Sequence, residues 1–115
     1  MKKNILIVGG TGFIGYHLAK KCLKLNWNVT SLSLKKPSKL RKLAKVKYFY
    51  CDIGVAKELK KFSKKKFNYV VNLGGYIDHF NKKNTYKSHF TGVKNLANFF
   101  LRRNINSFIQ IGSSA

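Results

Sequence analysis

Three glycines at intervals of three, Gly9, Gly12 and Gly15, follow directly on the apolar run Ile5 to Val8 and lead directly into an amphipathic stretch. A chain that must end a strand, turn and enter a helix within so few residues has few ways to fold. The first glycine takes the tight bend, the second lets a ligand approach the main chain, and the third lets the helix lie close against the strand. At the start of a helix the backbone N–H groups are unpaired and carry partial positive charge, so they hold a phosphate without help from side chains. The pattern points to a turn that cradles the pyrophosphate of a dinucleotide, with Gly9, Gly12, Phe13, Ile14 and Gly15 around it.

The flanking residues fit that order. Ile5, Leu6, Ile7 and Val8 are continuously apolar, as a strand covered on both faces of a parallel sheet must be. Beyond the glycines, Ile14, Leu18, Cys22 and Leu25 recur at helical spacing, with Lys20, Lys21 and Lys24 on the opposite side. The alternation continues along the chain. Val29 to Leu34 predicts a second strand, Leu40, Leu43 and Ala44 a short helix after Pro37, and Val46 to Tyr50 a third strand. Val55, Leu59 and Phe62 give a helical face, and Tyr69 to Leu73 a fourth strand closed by Gly74 and Gly75. Phe90, Val93, Ala97 and Phe100 trace a longer helix with Leu96 and Leu101 beside them, and Phe108 to Ile111 makes a fifth strand. Strands alternating with helices imply an α/β parallel sheet with right-handed crossovers and ligands at the carboxyl ends of its strands.

At 115 residues and 44% hydrophobic content the chain supports one domain with a real core and no second lobe. Cys22 and Cys51 lack the spacing of a metal site or a disulfide framework and read as reduced core residues, in keeping with a cytoplasmic setting. The basic opening MKKNILIVGG stops at two glycines with no cleavage site after it, and no stretch is long enough to span a bilayer. Lys and Arg number 24 against 3 Asp and Glu, a net charge of +21. The lysines are spread over almost every predicted element, which favours compositional drift over a dedicated surface, with salt-sensitive, non-specific binding to nucleic acid and other polyanions expected either way.

Four stretches in order, GGTGFIG at 9–15, CDI at 51–53, VVNLGG at 70–75 and FIQIGSSA at 108–115, make the chain resemble the N-terminal part of the NAD-dependent epimerase/dehydratase family, the extended short-chain dehydrogenases. The resemblance implies a Rossmann-type doubly wound parallel sheet, here an incomplete N-terminal portion of about five strands. It also implies an NAD or NADP cofactor and, for the complete protein, a nucleotide-sugar substrate, reversible hydride transfer and room for a homodimer. By the same resemblance Asp52 accepts a hydrogen bond from the adenine amino group and Ile53 offers its backbone to the ring, although an aspartate here also suits a helix cap. Leu73, Gly74 and Gly75 let the backbone approach ribose and phosphates, or simply turn the chain. Ser114 matches the hydroxyl that polarises the reacting oxygen of the sugar, and His89 stands where the family usually has asparagine. Asp78 and His79 read as a solvated loop.

Two departures stand out. An NAD-specific fold places an acid at the end of the second strand to hold the ribose 2′-hydroxyl, and this chain has Ser33 followed by Lys35 and Lys36, which leans towards NADP. The family moves protons through a tyrosine with a lysine four residues on, in a helix beyond the fifth strand. Tyr86 has no lysine at that offset, so the 115 residues are expected to bind cofactor without turning over substrate. Other classes remain: a non-catalytic NAD(P)H sensor, or a basic polyanion-binding protein.

Overall fold

The computed structural model describes residues 2–34, 36–73, 91–103 and 105–110. In chain order these form β1 (Asn4–Val8), α1 (Phe13–Lys24), β2 (Asn28–Ser33), β3 (Lys47–Tyr50), a 3-10 helix (Ala56–Phe62), β4 (Tyr69–Asn72), α2 (Val93–Phe100) and β5 (Ser107–Gln110). All five strands pair in parallel in the order β3-β2-β1-β4-β5. The chain winds outward from β1 through β2 to β3, then crosses back to lay β4 on the other side of β1. Connections therefore diverge between β1 and β4, and the carboxyl ends of those two strands open a crevice.

The sheet is covered on both faces, as its apolar strands require. Leu6 and Val8 of β1 point into one cluster, with Leu32, Leu59, Phe62, Val70, Leu96 and Phe100. Ile5 and Ile7 point into the other, with Ala19, Cys22, Val29 and Val71. One continuous apolar run thus feeds two cores, because successive side chains of a strand point to opposite faces. Phe62 anchors the first core through ring contacts to Phe49, Phe67 and Phe100. Both cysteines are free and buried, as the sequence implies, and burial pushes the Cys51 thiol up to about 11.

Three details differ from the sequence reading. The buried face of α1 is Gly15, Ala19 and Cys22, whereas Ile14 and Leu25 are largely exposed. The helix lies so close to the strands that only small residues fit along the line of contact, and the larger apolar residues are displaced to its flanks. Secondly, residues 36–46 form turns and no helix, with Leu40 91% exposed. In a helix each of Lys36, Lys39, Lys42 and Lys45 would neighbour the next at an i,i+3 spacing of like charges, and the Leu43 N–H donates to the Tyr48 hydroxyl at 2.9 Å in place of a helical carbonyl. Thirdly, α2 buries Leu96 and Phe100, while Leu101 falls just past its end and is exposed. Arg103 closes that end, donating from Nη1 to the Phe99 carbonyl at 2.8 Å with its guanidinium 3.7 Å from the centre of the Phe99 ring. At the end of α1 the same task falls to Asn26, which takes the left-handed conformation at φ 64°.

Candidate functional site

The turn after β1 is built almost wholly from backbone. Gly9 has φ 85°, a conformation that side chains disfavour, and its N–H donates to the Leu32 carbonyl of β2 at 2.7 Å. Gly12 N–H closes the bend onto the Gly9 carbonyl at 3.2 Å, and the Gly12 carbonyl accepts the first helical bond from Tyr16 at 2.9 Å. Among the described residues no side chain caps α1, and its first turn holds no acid. The N–H groups at the head of this 12-residue helix therefore face the crevice with their partial positive charge uncompensated.

The glycines separate by role. A Cβ on Gly15 would stand 2.5 Å from Gly10 Cα and 2.6 Å from the Gly9 oxygen, so this glycine is demanded by packing. A Cβ on Gly12 would meet only the Gly9 oxygen, at 3.6 Å, and otherwise open space. Among the described residues nothing forbids a side chain there. The space it would fill lies at the mouth of the helix, where a bound phosphate would sit. Gly10 joins the set unforeseen, since its Cβ would collide with the buried side chain of Ser31 in β2. The doublet Gly9-Gly10 is visible in the sequence, but its reason lies 21 residues away.

Other strand ends converge on the same crevice. Leu73 follows β4 and donates its N–H to the Val8 carbonyl at 2.8 Å, which places it beside the glycine turn. Ser33 ends β2, half-buried, and its carbonyl accepts from Cys51 at 3.1 Å. Asp52 follows β3 and is half-buried; its Oδ1 accepts from the Gly54 N–H at 2.8 Å, so it closes a turn ahead of the 3-10 helix and does not cap it. Glu58 accepts from the Asp52 N–H at 3.3 Å, which gathers the two acids of the described residues beyond β3. Ile53 packs against the core, and its carbonyl accepts from Asn95 of α2 at 2.8 Å. Phe13 and Ile14 expose their side chains at the head of α1. Above Phe13, at 5.7 Å from its ring centre, lies the guanidinium of Arg41, one of three arginines in the chain. That contact brings the turns at 36–46 to the positive end of α1, which no short-range pattern discloses. Gly74, Gly75, His89 and Ser114, together with Lys35, Asp78, His79 and Tyr86, lie outside the described residues. Among the described residues no group of His, Cys, Asp or Glu could hold a metal, and no helix is long and apolar enough to cross a membrane.

A parallel sheet of this order, with a glycine turn and an uncapped helix at its switch point, defines a Rossmann-type nucleotide-binding fold. The chain belongs to the NAD dependent epimerase/dehydratase family, whose model matches residues 5–115. No curated protein matches the sequence significantly. Among solved structures it is similar to an epimerase from Methanothermobacter thermautotrophicus, at 20% identity and a TM-score of 0.87 over 98% of this chain and 36% of that one. UDP-glucose 4-epimerase of Thermotoga maritima, solved with UDP-glucose, matches at 21% identity and a TM-score of 0.84, covering 93% of this chain and 37% of that one. The Bordetella bronchiseptica enzyme WbmG, solved with NAD, matches at 18% identity and 0.85, covering 96% and 37%. At such identities the likeness is one of fold, and the chain spans little more than a third of the length of these relatives.

Proposed function

We propose that this chain is the NAD(P)-binding portion of an enzyme that acts on a nucleotide sugar by reversible hydride transfer. One observation carries the reading: the space beside Gly12, which the described residues leave open and which is set against the head of α1, uncapped by any of them. Family membership and the NAD and UDP-glucose complexes of similar structures support it. The backbone of residues 12–15 would hold the pyrophosphate, Ser33 and Asp52 would lie towards the adenosine end, and Leu73 with Gly74 and Gly75 would pass close to the ribose and phosphates. The chemistry that a nicotinamide held there would supply is reversible hydride transfer with the sugar. Ser114 would donate a hydrogen bond to the reacting oxygen of the sugar, and His89 would line the cofactor. Proton transfer needs a group of tuned pKa, and the one tyrosine of these 115 residues with a lysine four residues on, Tyr16 with Lys20, lies in α1 and not in a helix beyond the fifth strand, so the chain by itself is expected to bind without turnover.

The finer choice of cofactor leans to NADP. Ser33 offers no charge against a 2′-phosphate, and Arg41 stands near the head of α1. Titration of NADH and NADPH by fluorescence into the parent chain, Gly12→Val and Arg41→Ala tests both levels. The parent should bind both cofactors, NADPH the more tightly; Gly12→Val should bind neither; and Arg41→Ala should lose the preference. Binding by Gly12→Val at parental affinity would overturn the site, and an unchanged preference in Arg41→Ala would overturn only the choice of cofactor.

A further inference from the structure

At the opposite end of the sheet, where the strands begin, lies a cleft of about 440 Å³ that the dinucleotide reading leaves unused. Three separate segments bring lysines to it: Lys2 ahead of β1, Lys45 and Lys47 at the entry to β3, and Lys65 and Lys66 ahead of β4. Five of its 13 lining residues are lysine, against 24 cationic residues among all 115, so the density is nearly doubled even in this basic chain. Neither acid of the described residues, Asp52 or Glu58, lines it. The Lys65 ammonium also lies 5.2 Å from the Phe49 ring centre, outside the lining; the like charges gathered around the cleft repel one another, and a ligand with several negative charges relieves that repulsion.

The lysines are not needed to complete the nearby helix end. Carbonyls of Lys21, Cys22 and Leu23, in the last turn of α1, already accept from the N–H groups of Leu25, Trp27 and Asn26. Lysine is a compact point charge suited to phosphate oxygens, and the volume lies within the range of small-molecule sites, about 300–1,000 Å³. The rim adds polar groups, with Asn28 Nδ2 donating to Asn4 Oδ1 at 3.0 Å. We propose that this cleft is a second binding site, specific for a run of linked phosphates such as a nucleoside triphosphate or inorganic polyphosphate carries. Separated from the glycine turn by the length of β1, roughly 17 Å at 3.3 Å per residue, it can be filled while the first site is occupied.

Calorimetric titration of tripolyphosphate and of ATP into the full chain tests the assignment. Lys45→Gln/Lys47→Gln/Lys66→Gln removes three charges from the cleft, and Lys20→Gln/Lys57→Gln/Lys94→Gln removes three exposed charges elsewhere. The first triple variant should weaken tripolyphosphate binding at least tenfold, the second less than twofold, and Gly12→Val should leave it unchanged. If the first variant loses its melting transition, the double variant Lys2→Gln/Lys66→Gln takes its place, with at least a threefold loss expected. Equal affinity for ATP and tripolyphosphate assigns recognition to the phosphates alone; tighter ATP binding adds the nucleoside, and both support the proposal. Equal losses in cleft and control variants, no binding of tripolyphosphate by the parent, or tighter binding of a thymidine oligonucleotide that the cleft variant retains would each overturn it.

Discussion

Gly12 and Gly15 share one turn, yet alanine at the two positions should fail in opposite ways. At Gly15 the added Cβ would lie 2.5, 2.6 and 2.8 Å from Gly10 Cα, the Gly9 oxygen and the Gly10 carbonyl carbon, all of them backbone atoms. Ordinary contact between carbons begins near 3.5 Å, so α1 must retreat by about 1 Å. Because all three neighbours are backbone, the overpacking cost falls in the upper part of its usual range, about 2–3 kcal/mol, and the preference of helices for Ala over Gly returns about 1 kcal/mol. The net loss of about 1–2 kcal/mol should lower Tm by roughly 4–8 °C in a domain of this size. At Gly12 the nearest atom among the described residues would be the Gly9 oxygen at 3.6 Å, and the backbone at φ −79°, ψ −179° is open to any residue. Ala is the poorer N-cap but restricts the unfolded chain, and these opposing effects, each about 0.5–1 kcal/mol, nearly cancel. Tm should stay within about 4 °C of the parent, while a displaced phosphate forfeits at least one charge-assisted hydrogen bond, about 1.5–3 kcal/mol or roughly 10- to 150-fold in Kd. Thermal melts followed by circular dichroism and NAD(P)H fluorescence titrations measure both quantities. A Gly12→Ala variant with parental Tm and parental affinity would refute the cradle, and a Gly15→Ala variant as stable as the parent would refute the close approach of helix to turn.

The raised thiol of Cys51 makes stability depend on alkaline pH. Below pH 9 the thiol is protonated in both states, but between 9 and about 11 the unfolded chain ionises while the folded one does not, so stability falls with rising pH, by up to about 1.4 kcal/mol per unit. Urea midpoints at pH 8 and 10 should diverge less in Cys51→Ala than in the parent, and equal divergence would discard the assignment. Phe62→Ala empties the centre of the larger core, where Phe62 is 0% exposed, and should cost about 3–5 kcal/mol in urea unfolding; less than 2 would mean that the surrounding rings collapse into the space. Leu40→Ser, at 91% exposure, should change stability by no more than about 0.5 kcal/mol, and a larger loss would restore a packed helix at 36–46.

Apolar runs and glycine spacing made the fold legible: five strands, their parallel direction and the two covered faces all follow from residues close together in the chain. The misread elements fail for a shared physical reason. Periodicity identifies a buried face by its large apolar residues, and α1 inverts that rule because its distance from the sheet is set by Gly15 and Ala19. The stretch at 36–46 carries helical spacing in Leu40, Leu43 and Ala44, but spacing does not weigh the repulsion of four lysines or the competing hydroxyl of Tyr48.

At the site, the same distinction separates what could be read from what could not. Gly9, Gly12 and Gly15 act through a backbone path that they determine themselves, so their roles are written in their own spacing. Gly10 is fixed by Ser31, Phe13 meets Arg41, and the Ile53 carbonyl is taken by Asn95, contacts that exist only once the sheet has formed. The lysine cleft belongs with these. In the sequence its five cations are scattered among 24, and their convergence is created by the crossovers that place the beginnings of β1, β3 and β4 along one edge. A charge that looks unpatterned along the chain is therefore a poor guide to the field at any one place on the folded surface, because the strand order decides which lysines become neighbours.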